Sequence, residues 1–450
     1  MRGKRYSKIF FIVGVFLMTS RAFAAPKIIY LTDVEGDWKR IESFLQKNKL
    51  VSIDQYGRLH LAPGNNYFVF GGDAVDRGPD STRIVEALVD FKKREPERVI
   101  LIQGNRDINK MRIPFELSEQ ALQTLPQKME QWLNEKKIPV EEYFTAATRL
   151  KWIFEGTMGA PNAFEFRRSE LKRHSTHVSD EDVVKSFLEE LGPNGAFQKY
   201  LLKSQLGAVI EDTLIVHGAI TRENFGFLPF SLNRQSDVRL WIEKLNTWSH
   251  SQVLEWMDRE PRADKKMSGY DLVRYQQKTA SSQSVVYARF SDQFGNPVLP
   301  PLEIIETMKD QGIRRILVGH TPSGDIPTIL RWFNEFEVII GDNSGRQDSE
   351  AASTLIADDD VHFSAITMNG QNLKYSLKNS PEVGLKTRDG FLIKAITPEK
   401  EAILFKVLPG FVVQEFSKPL HELDLQSLHP PYNPIDCASV VGSIALKVNP

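Results

Sequence analysis

Five short polar motifs, each placed directly after an apolar run of strand character, constrain this chain more than any other feature. They are Asp33-Val34-Glu35-Gly36-Asp37, Gly71-Gly72-Asp73-Ala74-Val75-Asp76-Arg77-Gly78, Gly104-Asn105-Arg106-Asp107, His217-Gly218-Ala219 and Gly319-His320-Thr321-Pro322. The runs before them (residues 27–32, 67–70, 99–103, 214–216 and 315–318) are short and rich in Ile, Leu, Val and Phe. Between the first three lie helical patterns at 38–47 and 81–93. Short apolar runs alternating with amphipathic helices predict β-α-β units. In such units the residues just past each strand's C-terminal end collect at one rim. The expected class is α/β (α+β), with all five motifs on one edge.

The remaining chain is organised around that pattern. Residues 51–61 read as a small hairpin, 338–340 as a further strand, and 363–416 as alternating β-structure. Helical patterns fill two stretches, about 111–206 and 230–300, which read as insertions. In the first, Leu122, Leu125, Met129 and Trp132 fall on one helical face, and Ser179-Asp180-Glu181-Asp182 resembles a capping box. Trp241, Trp248 and Trp256 read as core residues of a helix in the second. Residues 419–450 give no clear signal.

The first 24 residues are different material. Four basic side chains precede an apolar run from Ile9 to Met18, and Ala22-Phe23-Ala24 has the small-x-small spacing of a cleavage site. That order predicts a secretory signal peptide over 1–24, and hence a periplasmic or secreted protein. The apolar run is about half of the ~20 residues that a spanning helix needs, so no membrane association is expected after cleavage. Removing 1–24 takes away five basic residues and leaves a net charge of −6, which gives no reason to expect nucleic acid as partner. The single cysteine, Cys437, excludes an intramolecular disulfide framework and a thiolate zinc site.

The motifs carry oxygen and imidazole donors flanked by glycine. Asp, Glu, Asn and His without Cys make a hard-to-borderline donor set suited to manganese, iron or zinc, with enough ligands for two ions. Gly341-Asp342-Asn343-Ser344-Gly345 closes another strand and reads as a turn, with rim lining as the alternative.

Taken together, the motifs resemble the calcineurin-like metallophosphoesterase superfamily, and within it the phosphoprotein phosphatase branch marked by Gly-Asp-x-x-Asp-Arg-Gly. The resemblance implies a β-sandwich core flanked by helices, over a domain spanning 25–418, with a dinuclear metal site at one rim. On that likeness Asp33 binds the first metal and Asp73 bridges both. Asn105, His217 and His320 bind the second. Arg77 grips the substrate phosphate, Asp76 supports the ligands from behind, and Arg222 is a further candidate for substrate binding. The expected reaction is phosphomonoester hydrolysis by a hydroxide held between two divalent ions, manganese first, with iron, zinc or magnesium as alternatives.

Two departures matter. Glu35 stands where the family has the histidine of Asp-x-His-Gly; as an oxygen ligand it hardens the first site towards manganese or magnesium. Arg106 stands where Gly-Asn-His-Glu has the general acid, and arginine cannot give up a proton near neutral pH. It can stabilise a transferring phosphoryl group instead. A phenol leaves far more easily than an alkoxide, so a phosphoprotein substrate with phosphotyrosine favoured over phosphoserine or phosphothreonine is expected. Hydrolysis of nucleotides or dinucleoside polyphosphates is one alternative; a catalytically weak phosphate-binding interaction protein is another. Oligomeric state is not legible.

Overall fold

The computed structural model describes residues 25–259, 267–277, 283–344, 350–367, 370–409 and 412–424. The expected signal segment 1–24, Gly345, Cys437 and the tail beyond Asp424 lie outside them. Sixteen strands are described: β1 (Lys27–Leu31), β2 (Val51–Ile53), β3 (Leu59–Leu61), β4 (Asn66–Phe70), β5 (Val99–Leu101), β6 (Gly207–Ile210), β7 (Thr213–Val216), β8 (Arg315–Val318), β9 (Thr328–Trp332), β10 (Phe336–Ile340), β11 (Ser353–Ala357), β12 (Asp360–Ile366), β13 (Asn372–Ser376), β14 (Leu392–Ile396), β15 (Glu401–Leu408) and β16 (Val412–Pro419). One sheet runs β13-β12-β11-β1-β4-β5 and a second β6-β7-β8-β10-β9. The third, β14-β15-β16, is antiparallel throughout, and β2-β3 form the expected hairpin.

Strand periodicity explains the layers. Successive side chains of a strand point to opposite faces. Ile28, Tyr30 and Val69 of the first sheet pack with Ile215, Leu317 and Ile339 of the second in one apolar layer. Their neighbours Ile29, Leu31, Phe68 and Phe70, and Leu214, Val216, Ile316 and Val318, face outward into the helical core. Each central strand is buried on both faces, which is why these runs are continuously apolar. The result is a sandwich of two sheets with helices outside it.

Both sheets contain a parallel trio: β1-β4-β5 in the first, β7-β8-β10 in the second. Helices α1 (Trp38–Lys47) and α2 (Ser81–Arg94) provide crossovers for the first trio, at the positions that the sequence predicts. Asp37 caps α1 by accepting the Lys39 amide at 3.0 Å. Every motif lies at the C-terminal end of a parallel strand, and the two trios end at a common rim.

The first insertion is helical, as expected, with one correction. Pro126 divides the apolar stripe: Leu122 ends a short helix (Glu119–Leu122), and Met129 and Trp132 belong to a second (Gln127–Lys136). Proline lacks the amide that a continuous helix would need there. All four side chains still meet the same core. The capping box forms, with Asp182 N donating to Ser179 Oγ at 3.1 Å and Ser179 N to Asp182 at 2.8 Å. A π-helical turn over Ile153–Thr157 then aims Met158 at the rim. Trp241 and Trp256 are buried and Trp248 packs against the core. Among the described residues no helix is long and apolar enough to cross a membrane.

Candidate metal centre

The motif loops are bound to one another before any ligand is considered. Asp33 N donates to Gly72 O at 3.0 Å, Glu35 N to Asp73 O at 3.0 Å, and Gly36 N to Ala74 O at 2.8 Å. Asp33, Glu35, Asp73, Asp76 and His320 all have positive φ, at 50°, 50°, 56°, 106° and 65°. Such conformations cost roughly 1–3 kcal/mol for a non-glycine residue and persist only where the surroundings fix them. The sequence suggests that glycine makes these turns. The ligand residues themselves make several of them, and Gly104 serves close approach: a Cβ there would lie 2.1 Å from Asp73 Oδ1.

Asp73, His217 and His320 place donor atoms within 4.8 Å of one another, and all three are buried. His217 Nδ1 faces Gly71 O at 2.8 Å, which directs its Nε2 towards Asp73 Oδ1 at 3.4 Å and Asn105 Oδ1 at 3.2 Å. Fixing one ring nitrogen on a carbonyl leaves the other as a metal ligand. His320 Nε2 is buried and has no hydrogen-bond partner among the described residues. An orphaned imidazole nitrogen beside a carboxylate and a second imidazole fits a divalent cation. Asp33 lies alongside, accepting from Thr32 Oγ1 at 2.5 Å and from the His320 amide at 3.2 Å.

Electrostatics agree with that fit. Burial and Asp342 push Asp33 well above the usual carboxylate range. Burial opposes charge on His217, yet Asp73 and Asp33 lift it to about 10. His320 is driven well below its ordinary value by burial, then by His217 and Arg289, so its ring is neutral. Six buried carboxylates (Asp33, Glu35, Asp73, Asp76, Asp107 and Asp342) face Arg40, Arg106 and Lys110, also buried, and the half-exposed Arg77.

Glu35 and Arg106, the two departures, meet. Arg106 Nε donates to Glu35 Oε1 at 2.8 Å, and Arg77 Nη1 to Glu35 Oε2 at 3.0 Å. Arg106 also approaches Asp73 Oδ2 at 3.5 Å and Asp76 Oδ2 at 3.7 Å. Burial raises Glu35 to about 7 against the pull of Arg106 and Arg77. Asp76 is held by Lys110 at 2.6 Å, and Lys110 by Met158 Sδ at 3.5 Å.

Several of these partners are not legible in the sequence. Lys110, which no sequence motif marks, is 3% exposed. Arg40, on α1, donates to Asn343 Oδ1 at 2.7 Å, and Asp342 is buried beside Asp33. The Tyr287 ring packs against His320 at a tilt of 57°, ring centroids 4.9 Å apart. Arg222 is 69% exposed and its guanidinium donates to Glu303. A groove of about 300 Å³ opens beside the centre, lined by Glu35, Arg40, Asp76, Arg77, Pro161 and Phe166 among others. A larger cavity of about 930 Å³, within the helical insertion, contains none of the motif residues.

Donors for a cation, with fixed guanidiniums beside them for an oxyanion, suit metal-dependent hydrolysis of phosphate esters. Residues 26–324 match the calcineurin-like phosphoesterase family, and the chain belongs to that family. The family implies divalent cations, and Asp73, His217 and His320 are placed to hold one. The chain is similar to Shewanella-like protein phosphatase 2 of Arabidopsis thaliana, 22% identical over 234 residues, which is 50% of this chain and 54% of that one. It thus spans about half the length of that relative. Among solved structures it is similar to the cold-active protein-tyrosine phosphatase of a psychrophilic Shewanella species, at 17% identity and TM-score 0.43, covering 78% of this chain and 81% of that one. A protein serine/threonine phosphatase from Saccharomyces cerevisiae is 12% identical with TM-score 0.34, covering 79% and 81%.

Proposed function

We propose that the protein hydrolyses phosphomonoesters on proteins, with phosphotyrosine favoured over phosphoserine and phosphothreonine. The observation that carries this reading is Arg106. Its guanidinium stands within 3.5 Å of Asp73, at the family position of the general acid, and cannot protonate a leaving oxygen. Aryl esters suffer least from that loss. A divalent cation, when bound, supplies an activated water and neutralises phosphoryl charge. Asp73, His217 and His320, with Asn105 beside them, would hold it. Arg77 and Arg106, braced on Glu35, present fixed donors to the equatorial oxygens. Phe166 and Pro161 line the adjoining groove and suit an aromatic ring.

Nucleotide hydrolysis is the second reading, favoured by one observation: Tyr287 puts an aromatic ring against His320. Turnover of phosphotyrosine peptide, phosphoserine peptide and nucleotide, each with and without manganese, separates them. Manganese-dependent turnover of the phosphotyrosine peptide above the other two supports the proposal; preferential turnover of nucleotide overturns it.

We also infer export, supported by the basic, apolar and small-residue order of residues 1–24. Mass spectrometry of the exported protein should find its N-terminus at Ala25. An intact Met1 in the membrane fraction would point to an anchor instead.

A further inference from the structure

We infer that this chain holds a single divalent cation, at Asp73, His217 and His320, and that the Arg106 guanidinium, fixed by Glu35, takes the place of a second. The inference rests on the metal-dependent phosphatase reading and concerns how many ions the site accepts.

Three observations carry it. First, among the described residues, Asp73, His217 and His320 form the one group of three His, Cys, Asp or Glu donors close enough to share an ion. Second, both oxygens of Glu35 already have cations: Arg106 on Oε1 at 2.8 Å and Arg77 on Oε2 at 3.0 Å. A metal ion on Glu35 would compete with two guanidiniums for one carboxylate and disturb a largely buried pair, which is destabilising. Third, Asp73 divides its oxygens. Oδ1 faces His217 Nε2 at 3.4 Å and accepts the Arg106 amide at 2.9 Å, and Oδ2 faces the Arg106 guanidinium Nε at 3.5 Å. Arg106 therefore meets the carboxylate on the side where a bridged second cation would sit. Its positive charge is permanent, so Asp73 is satisfied on both sides by one ion and one arginine.

Glu35 is then a positioning residue. It orients two arginines, and Glu35 and Arg106 depend on each other. Replacing Arg106 leaves Glu35 only Arg77, and replacing Glu35 leaves Arg106 only the longer approaches to Asp73 and Asp76.

Manganese binding to the full chain, measured without substrate, tests this independently of any turnover. Metal per chain is read by elemental mass spectrometry, and the electron paramagnetic resonance spectrum reports whether ions are coupled. The wild-type protein should bind one manganese per chain, with an uncoupled signal. The double substitution E35H/R106H should bind two, with an exchange-coupled signal. Arg106→Ala, which frees Asp73 Oδ2 and one oxygen of Glu35, should also admit a second, weaker ion. Two coupled ions in the wild-type protein would overturn the inference. So would a folded double variant that still takes only one. Should the double variant fail to fold, the wild-type stoichiometry alone decides.

Discussion

The carboxylate of Asp107 accepts the backbone amide of Asp73 across 3.0 Å, so the loop after β5 fixes the loop after β4. The same carboxylate takes the amides of Ala74 at 2.9 Å and Gly104 at 2.9 Å, and the Tyr200 hydroxyl at 3.2 Å. Asp107 is fully buried, and burial followed by Asp73 raises it to about 6. It ties the left-handed Asp73 in place.

Asp107→Ala should therefore cost about 3–5 kcal/mol of stability, because three buried amides and a hydroxyl lose their acceptor together. Asp107→Asn, which keeps one acceptor oxygen, should cost less. Urea unfolding followed by circular dichroism measures both. An alanine variant as stable as the wild-type protein would show that the tie holds nothing.

Asp73→Asn should reduce turnover to below about a hundredth and lower manganese content while leaving the fold intact, since a neutral amide is a poor ligand for a dication. Metal analysis and circular dichroism on the same sample check both halves. Activity retained above a few per cent would remove Asp73 from the centre of the mechanism.

Metal affinity should rise with pH. His217 is lifted to about 10 because Asp73 and Asp33 overcome the opposing effect of burial, so near neutrality the free site carries a proton there. A cation on Nε2 must displace that proton, and the apparent affinity then gains about tenfold for each pH unit below about 10. Calorimetry in buffers of different ionisation enthalpy should show about one proton released per ion. A flat affinity between pH 6 and pH 8 would contradict this ligand assignment.

Rate should depend steeply on the leaving group. With Arg106 in place of an acid, an aryl phosphate should exceed an alkyl phosphate by several orders of magnitude in kcat/KM, each ~1.4 kcal/mol of barrier being tenfold. A series of substituted phenyl and alkyl phosphates gives the slope. Equal rates would mean that another group delivers the proton.

The sequence alone determined the order and type of the elements that build the rim. Residues 27–32, 67–70 and 99–103 are apolar on both faces, and the helical repeats at 38–47 and 81–93 are local patterns, so their identity needed no long-range contact. It also determined which residue types reach the strand ends, because an Asp or His directly after a buried strand has few other places to go. Partnership was another matter. Glu35 and Arg106 are 71 residues apart, and nothing local shows that one oxygen of Glu35 belongs to Arg106 and the other to Arg77. Nothing local marks Lys110 either: Met158, 48 residues on, is laid against it after the π-helical turn, and its ammonium pairs with Asp76. Asp107 and Arg106 are adjacent, yet Asp107 is spent on backbone amides while Arg106 faces the carboxylates. Charges within a few ångströms are set by how two sheets and an insertion pack, and only the tertiary structure decides which opposite charge each one meets.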